Sequence, residues 1–108
     1  MAKQLRIYTM KEECLDRWVS LWTEKLAPLR RRSGFTVAGY AVPDKGQFVW
    51  VLDRPGTREE FLAADTAYYQ LPEHPPLHEE GKRYLASAES WFLEPVETEP
   101  GDEPTTGA

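Results

Sequence analysis

The stretch that most limits how this chain can fold is Phe48-Val49-Trp50-Val51-Leu52, five consecutive apolar residues bounded by Asp44-Lys45-Gly46 and Asp53-Arg54-Pro55-Gly56. Successive side chains of a strand point to opposite faces, so a run without polar alternation is a strand that is apolar on both sides. Such a strand needs two covers. In a chain of 108 residues, enough for one domain and one core, its own helices supply one cover. A second copy of the chain is expected to supply the other.

The formal charge of -5 is unevenly placed. Residues 95–108 hold Glu97, Glu99, Asp102 and Glu103 and no basic residue, which leaves -1 for residues 1–94. With Pro95, Pro100, Pro104, Gly101 and Gly107 among them, residues 95–108 read as a disordered acidic tail, and residues 1–94 as the folded domain. A nearly neutral body lacks the basic footprint that a phosphate backbone demands, so no nucleic-acid partner is expected. No apolar run approaches the roughly 20 residues that span a bilayer, and Met1-Ala2-Lys3-Gln4 leads into a strand pattern without a secretory core. A cytoplasmic protein without a membrane partner is expected, and the single Cys14 fits a reducing compartment.

Taken in order, Leu5 to Met10 is a strand with Leu5, Ile7 and Thr9 on one face, read as core, and Arg6, Tyr8 and Met10 on the other. A helix follows from Glu12 to Arg32, its apolar stripe made by Leu15, Trp18, Val19, Trp22, Leu26 and Leu29. Pro28 should bend or restart it. Trp18 and Trp22 read either as core packing or as the wall of a ligand cavity. Arg30-Arg31-Arg32 reads as a cationic helix end that complements the dipole. Phe35 to Val42 and the Phe48 strand form a hairpin through Pro43-Asp44-Lys45-Gly46. Gly39 is out of place there unless a bulge or the close approach of another group calls for it.

Thr57-Arg58-Glu59-Glu60 is a capping box, opening a helix through Phe61, Asp65, Tyr68 and Tyr69. Asp65 sits near the apolar stripe, where a carboxylate must be paired or have its pKa raised. It is expected to meet an arginine or a backbone amide, or to serve as a base. His74 and His78 are four apart, but Pro75 and Pro76 between them argue for a loop, so no metal site is expected. Leu85 to Leu93 is the last strand, although Arg83 to Ala88 also reads as helix.

The order strand, helix, strand, strand, helix, strand is the α+β, ferredoxin-like βαββαβ arrangement: a four-stranded antiparallel sheet with helices on one face. Tyr40, Trp50 or Val51, and Trp91 or Phe92 would remain on the open face, which marks a homodimer interface.

Leu5-Arg6-Ile7-Tyr8-Thr9-Met10-Lys11, Leu15-Asp16-Arg17-Trp18, Leu21-Trp22, Leu29 to Phe35, Phe48 to Leu52 and Ala63 to Tyr69 together resemble the NIPSNAP family over about residues 4–96. The resemblance implies a dimeric α/β barrel with a cavity between sheet and helices. Superfamily members use that cavity for cofactor-independent oxygenation of aromatic molecules, or for haem. The haem-degrading members are similar in a third-strand tryptophan, where Trp50 stands, and in a histidine near His74 or His78. They also use a first-strand asparagine, and this sequence has none. The expectation is a site without a cofactor, haem being the exception to test. Arg6 and Tyr8 would polarise an oxygen and Asp65 would act as base. Trp18, Trp22, Trp50, Tyr68, Tyr69 and His78 would line a small aromatic ligand. The alternative is a non-catalytic binding or interaction domain whose tryptophans fill the core.

Overall fold

In a computed structural model, which describes residues 1–97, the chain forms β1 (Ala2–Met10), α1 (Leu15–Leu21), a π-helical segment (Trp22–Leu26) and α2 (Ala27–Arg32). These are followed by β2 (Thr36–Val42), β3 (Gln47–Arg54), α3 (Arg58–Tyr69), α4 (His74–Lys82) and β4 (Leu85–Leu93). The strands make one antiparallel sheet in the order β2-β3-β1-β4. This is the expected ferredoxin-like α+β fold, with one more helix than expected. Of the proposed acidic tail, residues 98–108 lie outside the described residues. Among those described, no helix is long and apolar enough to cross a membrane.

The first helical region starts at Leu15, not Glu12, because Glu13 takes a left-handed φ of 63° through which no helix continues. Pro28 has no amide hydrogen and its ring crowds the carbonyl four residues back. The helix widens to π geometry over Trp22–Leu26 and resumes as α2. The β2–β3 turn is a single 3₁₀ turn, Pro43–Lys45, closed by Gly46 at φ 61°. Thr57 and Glu60 form the capping box of α3.

Two sequence expectations are corrected. His74–Lys82 is a helix, not a loop. Pro75 and Pro76 fall in its first turn, where backbone amides have no helical partner to lose. The faces of β1 are also reversed. Ala2, Gln4, Arg6, Tyr8 and Met10 lie under the helices, while Leu5, Ile7 and Thr9 face outward. Alternation reveals that a strand has two faces, but helices on the other strands decide which is covered.

The strand register gives each face its composition. Val37, Leu52, Gln4 and Phe92 form one row on the covered side, Gly39, Trp50, Arg6 and Ser90 the next, then Ala41, Phe48, Tyr8 and Ala88. On the open side Ala38, Val51, Leu5 and Trp91 form a row, beside Tyr40, Val49, Ile7 and Glu89. Of the residues considered for the open face, Val51 and Trp91 are there, while Trp50 and Phe92 are covered. Tyr40 and Trp91 are 62% and 60% exposed. Under the helices, Phe61 packs edge-on against Phe35 and Phe92, each 5.3 Å away, and Trp22 packs against Phe48 at 5.1 Å.

Candidate functional site

The covered face holds a charged cluster within an aromatic setting. Arg6 projects from the centre of β1 and Arg30 from α2; they are only 4% and 1% exposed. Both guanidiniums reach Oδ1 of Asp65 on α3, Arg30 at 2.6 Å and Arg6 at 3.2 Å. Both also donate to the Tyr69 hydroxyl, Arg6 at 2.9 Å and Arg30 at 3.3 Å. Nε of Arg6 donates to Gln4 at 2.7 Å. The Arg30 guanidinium carbon lies 3.7 Å from the ring centre of Tyr68 and 4.8 Å from that of Phe35, a cation–π enclosure.

Beside this cluster is a cavity of about 250 Å³. It is lined by Arg6, Tyr8 and Trp50 of the sheet and, from the helices, by Trp18, Arg30, Tyr68, Tyr69, His74 and His78. Tyr8 packs edge-on to Trp18 at 5.2 Å and to Trp50 at 5.9 Å. The indole N–H groups of Trp18 and Trp50 are buried without a partner, and so is Nε of Arg30. Nε1 of Trp22 and Nε of Arg54, on residues that do not line the cavity, are buried without a partner as well, so three of five such donors among the described residues belong to its lining.

The ionisation states follow from the surroundings. Burial alone would lower the Arg6 pKa, but the oxygens of Tyr8, Tyr69 and Asp65 outweigh it and hold it above its ordinary value. Burial raises the Tyr8 hydroxyl against the pull of Arg6, and raises Tyr68 to about 12. Both phenols therefore keep their protons at neutral pH. Burial, helped by His78 and Arg30, lowers the His74 pKa, so this imidazole is neutral there.

Of the residues singled out in the sequence, Arg6, Tyr8, Trp18, Trp50, Tyr68, Tyr69 and His78 come together around the cavity. Trp22 lies behind the wall, packed on Trp50 at 5.8 Å. Asp65 is engaged by both arginines and does not line the cavity. Sequence reasoning missed Arg30, grouped with two exposed arginines as a dipole cap. Its signal was positional: Arg30 is four residues after Leu26, on the apolar stripe, whereas Arg31 and Arg32 are off it. His74 was named beside His78 as a haem-type histidine but not among the residues lining an aromatic ligand, because the neighbouring prolines hid its helix.

Among the described residues no group of three or more histidine, cysteine or acidic side chains is placed to hold a metal. Haem does not fit this site. The cavity is smaller than the roughly 300–1,000 Å³ pockets of drug-sized ligands. The buried His74 is packed against Tyr68 and Tyr69 at 4.8 and 4.9 Å, which leaves no room for a macrocycle on its ring.

Comparison with solved structures bears on the fold. An uncharacterized NIPSNAP domain protein from Burkholderia xenovorans superposes with a TM-score of 0.81 at 14% identity, over 93% of this chain and 99% of that one. The chain has the NIPSNAP fold. A NIPSNAP family protein from Agrobacterium tumefaciens gives 0.79 at 10% identity, over 94% and 98% of the two chains. SnoaB, a cofactor-independent oxygenase from Streptomyces nogalater, gives 0.68 at 16% identity, over 92% and 96%. No family profile matches the sequence, and no curated protein does. The likeness to NIPSNAP structures is thus one of fold.

Proposed function

We propose that this NIPSNAP-like chain binds a small, flat, apolar molecule, aromatic in character, between sheet and helices. We further propose that it transforms that molecule by oxygenase- or cyclase-type chemistry without an added cofactor. The observation that carries the reading is the cavity itself, in which indole and phenol rings surround two buried guanidiniums. A planar apolar body packs favourably on such rings, and fixed donors stabilise negative charge that develops on a substrate oxygen. Arg6, Arg30, the neutral hydroxyl of Tyr8 and the Tyr69 hydroxyl would polarise that oxygen. Neutral His74, which also lines the cavity, has an imidazole nitrogen that can accept a proton. Asp65 acts as a positioning residue: with both guanidiniums on one oxygen, it sets their spacing. SnoaB, of the same fold, is a cofactor-independent oxygenase, which supports the class of chemistry.

The assembly we propose is a two-fold homodimer through the open sheet face, where Leu5, Val51, Tyr40 and Trp91 form the apolar surface. A cytoplasmic location accords with the unpaired Cys14.

A second reading, a binding domain without catalysis, is favoured by one observation: Asp65, the carboxylate considered as a base, is occupied by arginines. A thermal-shift and tryptophan-fluorescence screen of polycyclic aromatic ketones and phenols separates these outcomes. A ligand at a hundredfold excess over its Kd adds about 2.7 kcal/mol of stability. Stabilisation that Trp50→Ala abolishes, followed by oxygen uptake or product formation, supports the enzyme. Stabilisation without turnover supports the binding domain. The absence of any stabilising compound overturns both.

A further inference from the structure

The polar groups of the cavity are unbalanced in sign. Arg6 and Arg30 are both buried, and among the described residues Asp65 is the one acid that pairs with either, so the cluster retains a charge of about +1. No aspartate or glutamate lines the cavity, while Lys82 adds a third cation at its edge. Lys82 reaches the exposed Glu79 at 3.8 Å, a contact that solvent screens. An uncompensated guanidinium in a partly dry site is costly unless something neutralises it.

The donors are also unbalanced. Of the five N–H bonds of Arg6, three are used, toward Gln4, Tyr69 and Asp65, and the Tyr8 hydroxyl is a further hydrogen-bond partner of this guanidinium. Nε of Arg30 and the indole nitrogens of Trp18 and Trp50 have no acceptor. The Tyr69 oxygen accepts from both arginines, so both of its lone pairs are occupied and its own proton must be donated elsewhere. What the cavity lacks is an acceptor carrying negative charge.

We propose that the ligand is a small monoanion whose anionic oxygen sits among Arg6, Arg30 and Tyr69 and whose flat apolar body lies against Trp18, Trp50 and Tyr68. The proposal rests on the cavity's being a binding site and goes further by naming the charge of what binds. A single negative charge brings the cluster to neutrality, whereas a phosphate dianion would reverse its sign. The shared chemistry is an oxyanion on an aromatic or conjugated frame, supplied either by a carboxylate or by an ionised phenol or enol.

Calorimetric titration of the full chain with 2-naphthoate, methyl 2-naphthoate and 2-naphthol tests it. At neutral pH naphthoate should bind at least about tenfold more tightly than its neutral ester, as a charge-assisted hydrogen bond predicts. Tyr69→Phe, which keeps the ring, should weaken naphthoate by about tenfold and leave the ester unchanged. Arg6→Met should do the same where it folds. Naphthol binding that tightens as the pH rises to about 10, where phenols ionise, assigns the oxyanion to a phenol or enol; a naphthoate preference alone assigns it to a carboxylate. Equal binding of acid and ester, indifferent to Tyr69→Phe, overturns the anion and leaves the cavity reading standing. No binding of any probe at millimolar concentration overturns both.

Discussion

The covered face of the sheet carries Gln4, Arg6 and Tyr8 on β1, whereas the open face of the same strand carries Leu5, Ile7 and Thr9. A protomer built for its own stability would turn them the other way. Burying charges costs more than their mutual attraction returns in many proteins, and apolar replacements of similar volume are commonly neutral or better. Burying Leu5 and Ile7 would have stabilised the fold by the usual apolar transfer. A helix-covered face that holds a charged pocket, beside an open face that keeps the apolar side chains, is the division expected of a chain that uses one face for a ligand and the other for a second copy.

The sharpest break of that contrast is Asp65→Ala, which strands two buried guanidiniums. It should cost about 3–5 kcal/mol in urea unfolding. The apolar triple replacement Arg6→Met, Arg30→Met and Asp65→Leu should recover most of that loss. If the triple variant is as unstable as Asp65→Ala, the cluster is a structural keystone and the contrast between the faces loses its functional meaning.

Packing gives the next effect. A Cβ on Gly39 would lie 2.5 Å from Phe48 and 2.7 Å from Trp22, both on the covered side. Gly39→Val should therefore cost about 1–3 kcal/mol through overpacking. Ala38→Val, one residue away on the open side, should stay within about 0.5 kcal/mol. Equal costs would mean that the two faces are equally filled.

These two sites also show what the sequence made legible. The hairpin and the capping box were readable, because each depends on neighbours within a few positions, and the mid-strand glycine was readable as an anomaly that a bulge or a close approach would explain. That Asp65 sits near the apolar stripe and needs a partner was readable from helical spacing, with an arginine one of the partners considered. Which arginines it meets was not: Arg6 and Arg30 lie 59 and 35 positions away, and only the closed sheet brings them together. The inversion of β1 was hidden for the same reason. The strand's more apolar alternate set looked like core, but the helices cover the other side.

A smaller effect is the pH response of His74, which faces Tyr68, Tyr69, His78, Arg30 and Asp65. Its folded pKa lies below the ordinary 6.5. The unfolded chain then takes up this proton first, and stability that is fully present above pH 6.5 falls as the pH drops toward the folded value. His74→Gln should remove that part of the slope in melting temperature against pH. An unchanged slope would show that His74 is as solvated in the fold as out of it.

The smallest expected effect on the protomer is at Trp91, and it tests the other half of the contrast. Its ring is 60% exposed on the open face, in the row with Leu5 and Val51. A residue so placed contributes little within one chain, so Trp91→Lys at dilutions where the protein is monomeric should alter unfolding by no more than about 0.5 kcal/mol. At higher concentration the lysines of two copies would be brought together on an apolar surface, and light scattering should show the dimer lost. If Trp91→Lys destabilises the diluted monomer, the ring packs within its own chain. If it leaves a dimer intact, the copies meet elsewhere, and the apolar row on the open face needs a different partner.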